Sequence, residues 1–194
     1  KSYKHVLKIK PGYAEAYYNM GMVLNAKGDS EAAIESYKEA LKIKPGYAEA
    51  YYNLGNILNA KGDLQAAIDS YKKALKMKPD FADAYNNMGN VLKYKGDFQA
   101  ALDSYKQALK IKPDYAEAYF SMGMMLQELG KKGAAEASYR RAIELKPDYA
   151  EVYDNLGLVL QEIGRFAAAE ASYKRAIVLK PDYAEPFSNL GIIH

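Results

Sequence analysis

The sequence predicts an all-α fold, a solenoid of stacked antiparallel helix pairs, and three observations carry that expectation. Six of the seven prolines are Pro11, Pro45, Pro79, Pro113, Pro147 and Pro181, each 34 residues after the one before. A fixed period of this length marks a repeat architecture. Residues 14–47 and 48–81 are identical at 24 of 34 positions, and each period holds two apolar runs at helical spacing, separated by a glycine. The 194-residue chain is therefore read as a single array over 1–194. A partial repeat at 1–13 supplies a second helix. Complete repeats follow at 14–47, 48–81, 82–115, 116–149 and 150–183, and a partial repeat at 184–194 supplies a first helix.

The elements follow in order within each repeat. In the first helix Tyr17, Met20, Gly21 and Leu24 fall on one face. Proline then Asp or Gly announces its start, and Asp114 with Glu117 and Asp148 with Glu151 have capping-box spacing. Gly28, Gly62, Gly96, Gly130 and Gly164 end it, supplying the left-handed residue that a helix C-terminus favours. Asp29, Asp63 and Asp97 are placed to cap the second helix; Lys131 and Arg165 stand there in the last two repeats, so those turns are expected to be less firmly fixed. The second helix presents Ala33, Tyr37, Ala40 and Leu41 inward. The Gly21 and Ala33 columns are expected where helix axes approach closely, and the Tyr17 column is expected to fill the space beside them.

Composition removes several function classes. With 49% hydrophobic and 26% charged residues the chain reads as globular rather than disordered. Zero cysteine excludes disulfides, thiolate metal sites and cysteine nucleophiles. Histidine occurs only at His5 and His194, so histidine catalysis and multi-histidine metal sites are not expected; nor is any cofactor. No apolar run is long enough for a membrane span, no Gly-rich phosphate loop appears, and no serine has a nearby histidine. The net charge of +3 is too mild to point to nucleic acid. It is uneven: residues 1–112 carry 18 basic and 12 acidic side chains, whereas 113–194 carry 9 and 12, a net −3. A cytoplasmic location and no membrane association are expected.

The pattern Tyr17-x2-Met20-Gly21-x2-Leu24, then Ala33-x3-Tyr37, then Pro45 resembles the tetratricopeptide repeat, with tyrosine in place of the usual first tryptophan and Leu24 in place of a usual tyrosine. The resemblance spans the chain. It implies a right-handed superhelix whose first helices line a concave, partner-binding groove, and no catalysis.

A residue type that recurs in a column belongs to the frame; the remainder asks for a function. The Tyr17, Tyr37 and Tyr13 columns absorb 16 of the 19 tyrosines, leaving Tyr18, Tyr52 and Tyr94. The resemblance places the Tyr18 column, which continues with Asn86, Phe120, Asp154 and Ser188, in the groove. Beside it stand Asn19, Asn53, Asn87, Asn155 and Asn189, interrupted by Ser121. A carboxamide donates and accepts at once, so such a row can hold the backbone of an extended peptide whatever its sequence. The row is similar to the asparagine ladder of O-linked N-acetylglucosamine transferases. The other reading of the same column is hydrogen bonding within and between helices. Asn56 and Asn90 lie one turn further on, with Met22 and Met124 in the same column as adaptable contact surface. The Glu15 column, acidic throughout, argues against a clamp for terminal carboxylates and is read as first-turn dipole pairing. The Lys38 and Lys44 columns are read as solvated outer surface.

The candidate peptide-binding residues are thus Asn19, Asn53, Asn56, Asn87, Asn90, Asn155, Tyr18, Tyr52, Tyr94 and Phe120. The expected partner is a protein or peptide. Two alternatives stay open: a substrate-recruiting arm of a larger enzyme, or a scaffold that self-assembles head to tail by docking Phe187, Leu190 and Ile193 onto the half repeat of a neighbour.

Overall fold

The computed structural model describes residues 12–182, 184–186 and 189. Ten α-helices and no strand occur among them, one pair for each expected repeat. They are α1 Ala14–Ala26, α2 Ser30–Ile43, α3 Ala48–Ala60, α4 Leu64–Met77, α5 Ala82–Tyr94, α6 Phe98–Ile111, α7 Ala116–Glu128, α8 Lys132–Leu145, α9 Ala150–Glu162 and α10 Phe166–Leu179. The chain divides into two compact units, residues 1–95 and 96–194, so that the third repeat contributes α5 to the first unit and α6 to the second. In the first unit α1 pairs with α2 and α3 with α4, while α2 packs on α3 and α4 on α5. The second unit repeats the scheme, with α7 paired to α8, α9 to α10, α6 packed on α7 and α8 on α9. The proposed docking residues Phe187, Leu190 and Ile193, the half repeat before Gly12, and Ser188 lie outside the described residues.

Each turn inside a pair closes on the expected glycine. Gly28, Gly62, Gly96, Gly130 and Gly164 have φ between +69° and +82°, the left-handed region that costs a side-chain-bearing residue about 1–2 kcal/mol. The Asp29, Asp63 and Asp97 carboxylates each accept from a backbone N–H three residues on, at 3.2 Å. Lys131 and Arg165 provide no such cap. Arg165 instead reaches back to Glu136 at 3.0 Å, where Arg140 holds the same carboxylate. That carboxylate occupies the column of buried Ile34, Ile68 and Leu102, and the two guanidinium groups are what make a nearly buried charge tolerable there.

The capping boxes expected at the first helices do not form. The N-cap residues are Tyr13, Tyr47, Phe81, Tyr115 and Tyr149, one residue after Asp114 and Asp148 in the last two, and none makes a side-chain cap bond. Entering the helix at the aromatic leaves the preceding aspartate outside its reach. The Glu15 column lies in the first turn, where the dipole favours it, and it also takes a lysine partner. Lys44, Lys78, Lys146 and Lys180 meet Glu15, Glu49, Glu117 and Glu151 at 3.1–3.4 Å, so the Lys44 column is not merely a solvated outer row. Lys180 raises its own affinity for the proton by this contact and helps lower that of Glu151, whose carboxylate is held chiefly by a backbone hydrogen bond.

The core contains the Tyr37 column, as expected, but not the Tyr17 column. The Tyr17 column is only half-buried, whereas Tyr37, Tyr71, Tyr105, Tyr139 and Tyr173 are at most 1% exposed. The Gly21 column exists for these rings. A Cβ at Gly55 would lie 2.7 Å from the Tyr71 ring, and one at Gly21 2.8 Å from Tyr37. The second helix therefore seats its tyrosine flat on the bare backbone of the first. Around these rings Ala33, Ile34, Ala50, Leu54 and Ile57 join α2 to α3, and Ala67, Ile68, Leu75, Ala84, Met88 and Val91 join α4 to α5. One residue before each ring, Ser36, Ser70, Ser104, Ser138 and Ser172 donate to the carbonyl four residues back at 2.7–2.9 Å, which satisfies a buried hydroxyl inside its own helix.

Two outcomes follow. Gly55→Ala is expected to lower unfolding stability by up to about 2 kcal/mol, ring overpacking outweighing a gain in helix propensity. Gly133→Ala, which meets nothing within 4 Å in α8, is expected to raise it by up to about 1 kcal/mol. Urea midpoints that move in the same direction would contradict the seating. The second outcome concerns alkali. Burial, with smaller contributions from neighbouring groups, pushes the Tyr37 and Tyr173 hydroxyls up to about 12 from the ordinary 10.0, and pushes Tyr71, Tyr105 and Tyr139 upward as well. A raised folded-state pKa gives stability that is complete below about pH 10 and is lost as pH climbs to about 12. Ultraviolet titration should show the exposed tyrosines ionising first and the buried five only with loss of helicity; a single smooth ionisation with helicity intact would refute this.

Candidate functional site

The Tyr18 column is built where two repeats meet. Tyr18 packs on Tyr37 at 5.8 Å and on Tyr47, the N-cap of the next first helix, at 4.8 Å. Tyr52 does the same with Tyr71 and Phe81, and Phe120 with Tyr139 and Tyr149. Lys44, Lys78 and Lys146 cover the far side of the N-cap rings, 4.4–4.7 Å from their centroids. Each half-buried ring is thus held between two aromatics and is a fixed platform rather than a mobile side chain. Asn86 and Asp154 in the same column are buried. The Asp154 carboxylate accepts from Asn189 at 3.0 Å, and Asn86 donates weakly to Asn87 at 3.5 Å.

Several of the asparagines serve this platform. Asn53 donates to the Tyr18 hydroxyl at 3.1 Å. Asn87 donates to the Tyr52 hydroxyl at 3.1 Å and to the Asn56 carbonyl oxygen at 2.9 Å. That same oxygen accepts from the buried Tyr71 hydroxyl at 2.8 Å. Asn155 turns back to the Glu151 carbonyl of its own helix at 2.8 Å, while Asn19 is half-exposed. The structure therefore brings Tyr18 together with Asn53, and Tyr52 with Asn56 and Asn87, in the first unit. Asn155 and Phe120 belong to the second unit. Tyr94, 77% exposed at the end of α5, carries Lys93 near its ring.

Sequence reasoning missed the partners of the buried tyrosines. In the first unit Tyr71 uses Asn56, fifteen residues earlier. In the second unit Tyr139 and Tyr173 donate to Gln127 and Gln161, twelve residues earlier, at 2.9 Å each. The signal was present: glutamine appears in the Asn25 and Asn59 column in the two repeats where Met124 and Leu158 replace asparagine one turn earlier. Among the described residues no group of His, Asp or Glu is placed to hold a metal, and no helix is long and apolar enough to cross a membrane.

Comparison with known proteins agrees with this architecture. A family model described as TPR repeat matches residues 21–59, 55–96, 89–130, 125–164 and 162–194, and one described as tetratricopeptide repeat matches 2–35. No curated protein matches the chain. Among solved structures it is similar to MamA, at 29% identity and a TM-score of 0.78 over 85% of this chain and 96% of that one. It is also similar to YrrB, a TPR protein with an unusual peptide-binding site, at 24% identity and a TM-score of 0.79 over 97% of both chains. A third, the thermophilic TPR protein TTC0263 of Thermus thermophilus, has 24% identity and a TM-score of 0.69 over 93% of this chain and 98% of that one. At such identities the likeness to YrrB and TTC0263 carries the fold alone. Helix pairs in a 34-residue period, a tyrosine seated on a glycine in the four pairs that lie within one unit, and family matches along its length converge on one conclusion: the chain belongs to the tetratricopeptide repeat family, whose typical members are protein-interaction scaffolds.

Proposed function

We propose that the chain has no catalysis of its own and holds an extended segment of a partner protein across its first helices. The observation that carries this reading is a pair of neighbouring carboxamides on α3 with complementary capacity. Asn53 directs its amide N–H groups to the Tyr18 and Tyr37 hydroxyls, and its carbonyl oxygen has no hydrogen bond among the described residues. Asn56 has its carbonyl oxygen occupied by Tyr71 and Asn87, which directs its remaining capacity to donation. Both are half-exposed. An acceptor and a donor three residues apart, about 4.5 Å along the axis, suit the N–H and C=O of an extended backbone.

The other candidates divide by role. Tyr18, Tyr52 and Phe120 offer ring faces whose orientation is already fixed, which lowers the entropy cost of binding. Asn87 acts as the tie that holds Tyr52 and Asn56 in place. Asn19, Asn90 and Tyr94 extend the surface in the first unit, and Asn155 belongs to the second unit.

Asn53→Ala is expected to weaken binding of peptides selected on the parent from a random library by about fivefold, the scale of one hydrogen bond. Its urea midpoint should stay close to the parent's, because the change removes a half-exposed amide. Unaltered affinity by calorimetric titration, or no peptide recovered by selection, would count against the proposal.

A further inference from the structure

The first-helix faces of the two units differ in chemistry, and the frame explains how the difference became possible. In the first unit the turn after the ladder column holds Asn56, needed by the Tyr71 hydroxyl. In the second unit Gln127 and Gln161 take over that duty for Tyr139 and Tyr173. Met124 and Leu158 are thereby relieved of any polar task, and both are left half-exposed on the first-helix face. Four residues on, where α3 carries Ala60, α7 and α9 end in Glu128 and Glu162, both exposed. Positions four apart share one helix face, so each helix offers an apolar side chain with a carboxylate beside it.

The two helices lie side by side. Gln127, accepting from Tyr139 with its oxygen, donates with its amide to Glu162 at 3.4 Å. Lys132 meets the other Glu162 oxygen at 3.2 Å. Glu128 and Glu162 both add to the upward push on the Tyr139 hydroxyl, after the larger effect of its burial, which agrees with two carboxylates gathered at one place. The surrounding sequence is acidic as well, at net −3 over residues 113–194.

Building on the proposed function, we infer that the α7–α9 face of the second unit selects a partner segment in which apolar side chains alternate with lysine or arginine. Met124 and Leu158 receive the apolar side chains, Phe120 backs them as a fixed ring, and Glu128 and Glu162 take the cations. Charge complementarity chooses this occupant. An acidic segment would meet two carboxylates, and a neutral one would leave Glu128 without a counter-charge and Glu162 with Lys132 alone. The corresponding positions of α3, filled by Asn56 and Ala60, carry no such preference.

The test uses the full chain and two capped ten-residue probes, one alternating leucine with lysine and the other leucine with glutamate. The lysine probe is expected to bind and the glutamate probe not. Glu128→Gln with Glu162→Gln should weaken the lysine probe about tenfold, the scale of two partly screened ion pairs. Salt near 1 M, where the screening length is about 3 Å, should do the same. Met124→Asn with Leu158→Asn, which restores first-unit chemistry, should also weaken it, while Glu35→Gln with Glu39→Gln on the outer face of α2 should not. Equal binding of both probes overturns the inference, as does an unaffected Glu128/Glu162 variant or an equal loss from the outer-face variant. If neither probe binds while library-selected peptides bind and respond to Asn53→Ala, this inference falls and the proposed function stands. If nothing binds at all, both fall.

Discussion

The structure depends on one arrangement, repeated in the four pairs whose helices lie in one unit: a tyrosine from the second helix buried against its first helix, with its hydroxyl at the edge of the first-helix face. Where both members of a pair lie in one unit, the ring rests on a glycine; at Gly123, a Cβ would fall 2.5 Å from Tyr139. This seat fixes the separation and roll of the pair. It also imposes a demand, because a buried hydroxyl without a partner costs about 1–3 kcal/mol. For Tyr71, Tyr139 and Tyr173 the partner comes from the first helix of the same pair, as Asn56, Gln127 and Gln161, while the Tyr37 hydroxyl is met by Asn53 of the next first helix. On the proposed function, packing and recognition are therefore coupled through one side-chain oxygen in each of these three repeats.

That coupling explains why the surface residues are not interchangeable. In the first unit the demand falls on Asn56, and Asn87 completes the network by tying Asn56 to Tyr52. The polar first-helix face there is partly a structural necessity. In the second unit the longer glutamine reaches the same hydroxyl from one turn later, and the vacated position becomes apolar. A similar exchange occurs on the second helices. Glu136 enters a column filled in the first three repeats by buried Ile34, Ile68 and Leu102, and Arg140 and Arg165 offset its charge. Arg165 stands where Asp63 caps an earlier helix, so the cap was exchanged for a tie between successive second helices.

Much of this was legible in the sequence, for a physical reason. Proline and left-handed glycine are constrained by the backbone alone, so their 34-residue spacing marks helix boundaries without knowledge of packing. The absence of a cap at Lys131 and Arg165 was readable in the same way, because a cap is a local bond. What the sequence did not distinguish was the burial of the Tyr17 and Tyr37 columns. Both are invariant aromatics at helical spacing through the complete repeats, and only the seat on Gly21 decides which ring goes inside. The capping boxes at Asp114 and Asp148 failed because a one-residue shift of the helix start, set by the N-cap aromatic packing on its neighbours, defeats a pattern that depends on register.

The asparagine column shows where periodicity loses its power to separate frame from function. A residue that recurs in every repeat invites a structural reading, yet a ligand that follows the array also demands recurrence. Hydrogen-bond capacity separates the two. Both donors of Asn87 are engaged by Tyr52 and Asn56, so its recurrence is explained by the frame. Asn53 in the same column gives its amide to the Tyr18 hydroxyl and also meets that of Tyr37, and its carbonyl oxygen has no bond among the described residues. A half-exposed amide is content with water, so that oxygen is no strain on stability; it is a fixed acceptor whose direction the tyrosine network sets. The column is therefore not one ladder of equal rungs. On the proposed function, recognition falls to those asparagines whose capacity exceeds what their own tyrosines require, and the remainder hold those rungs in place.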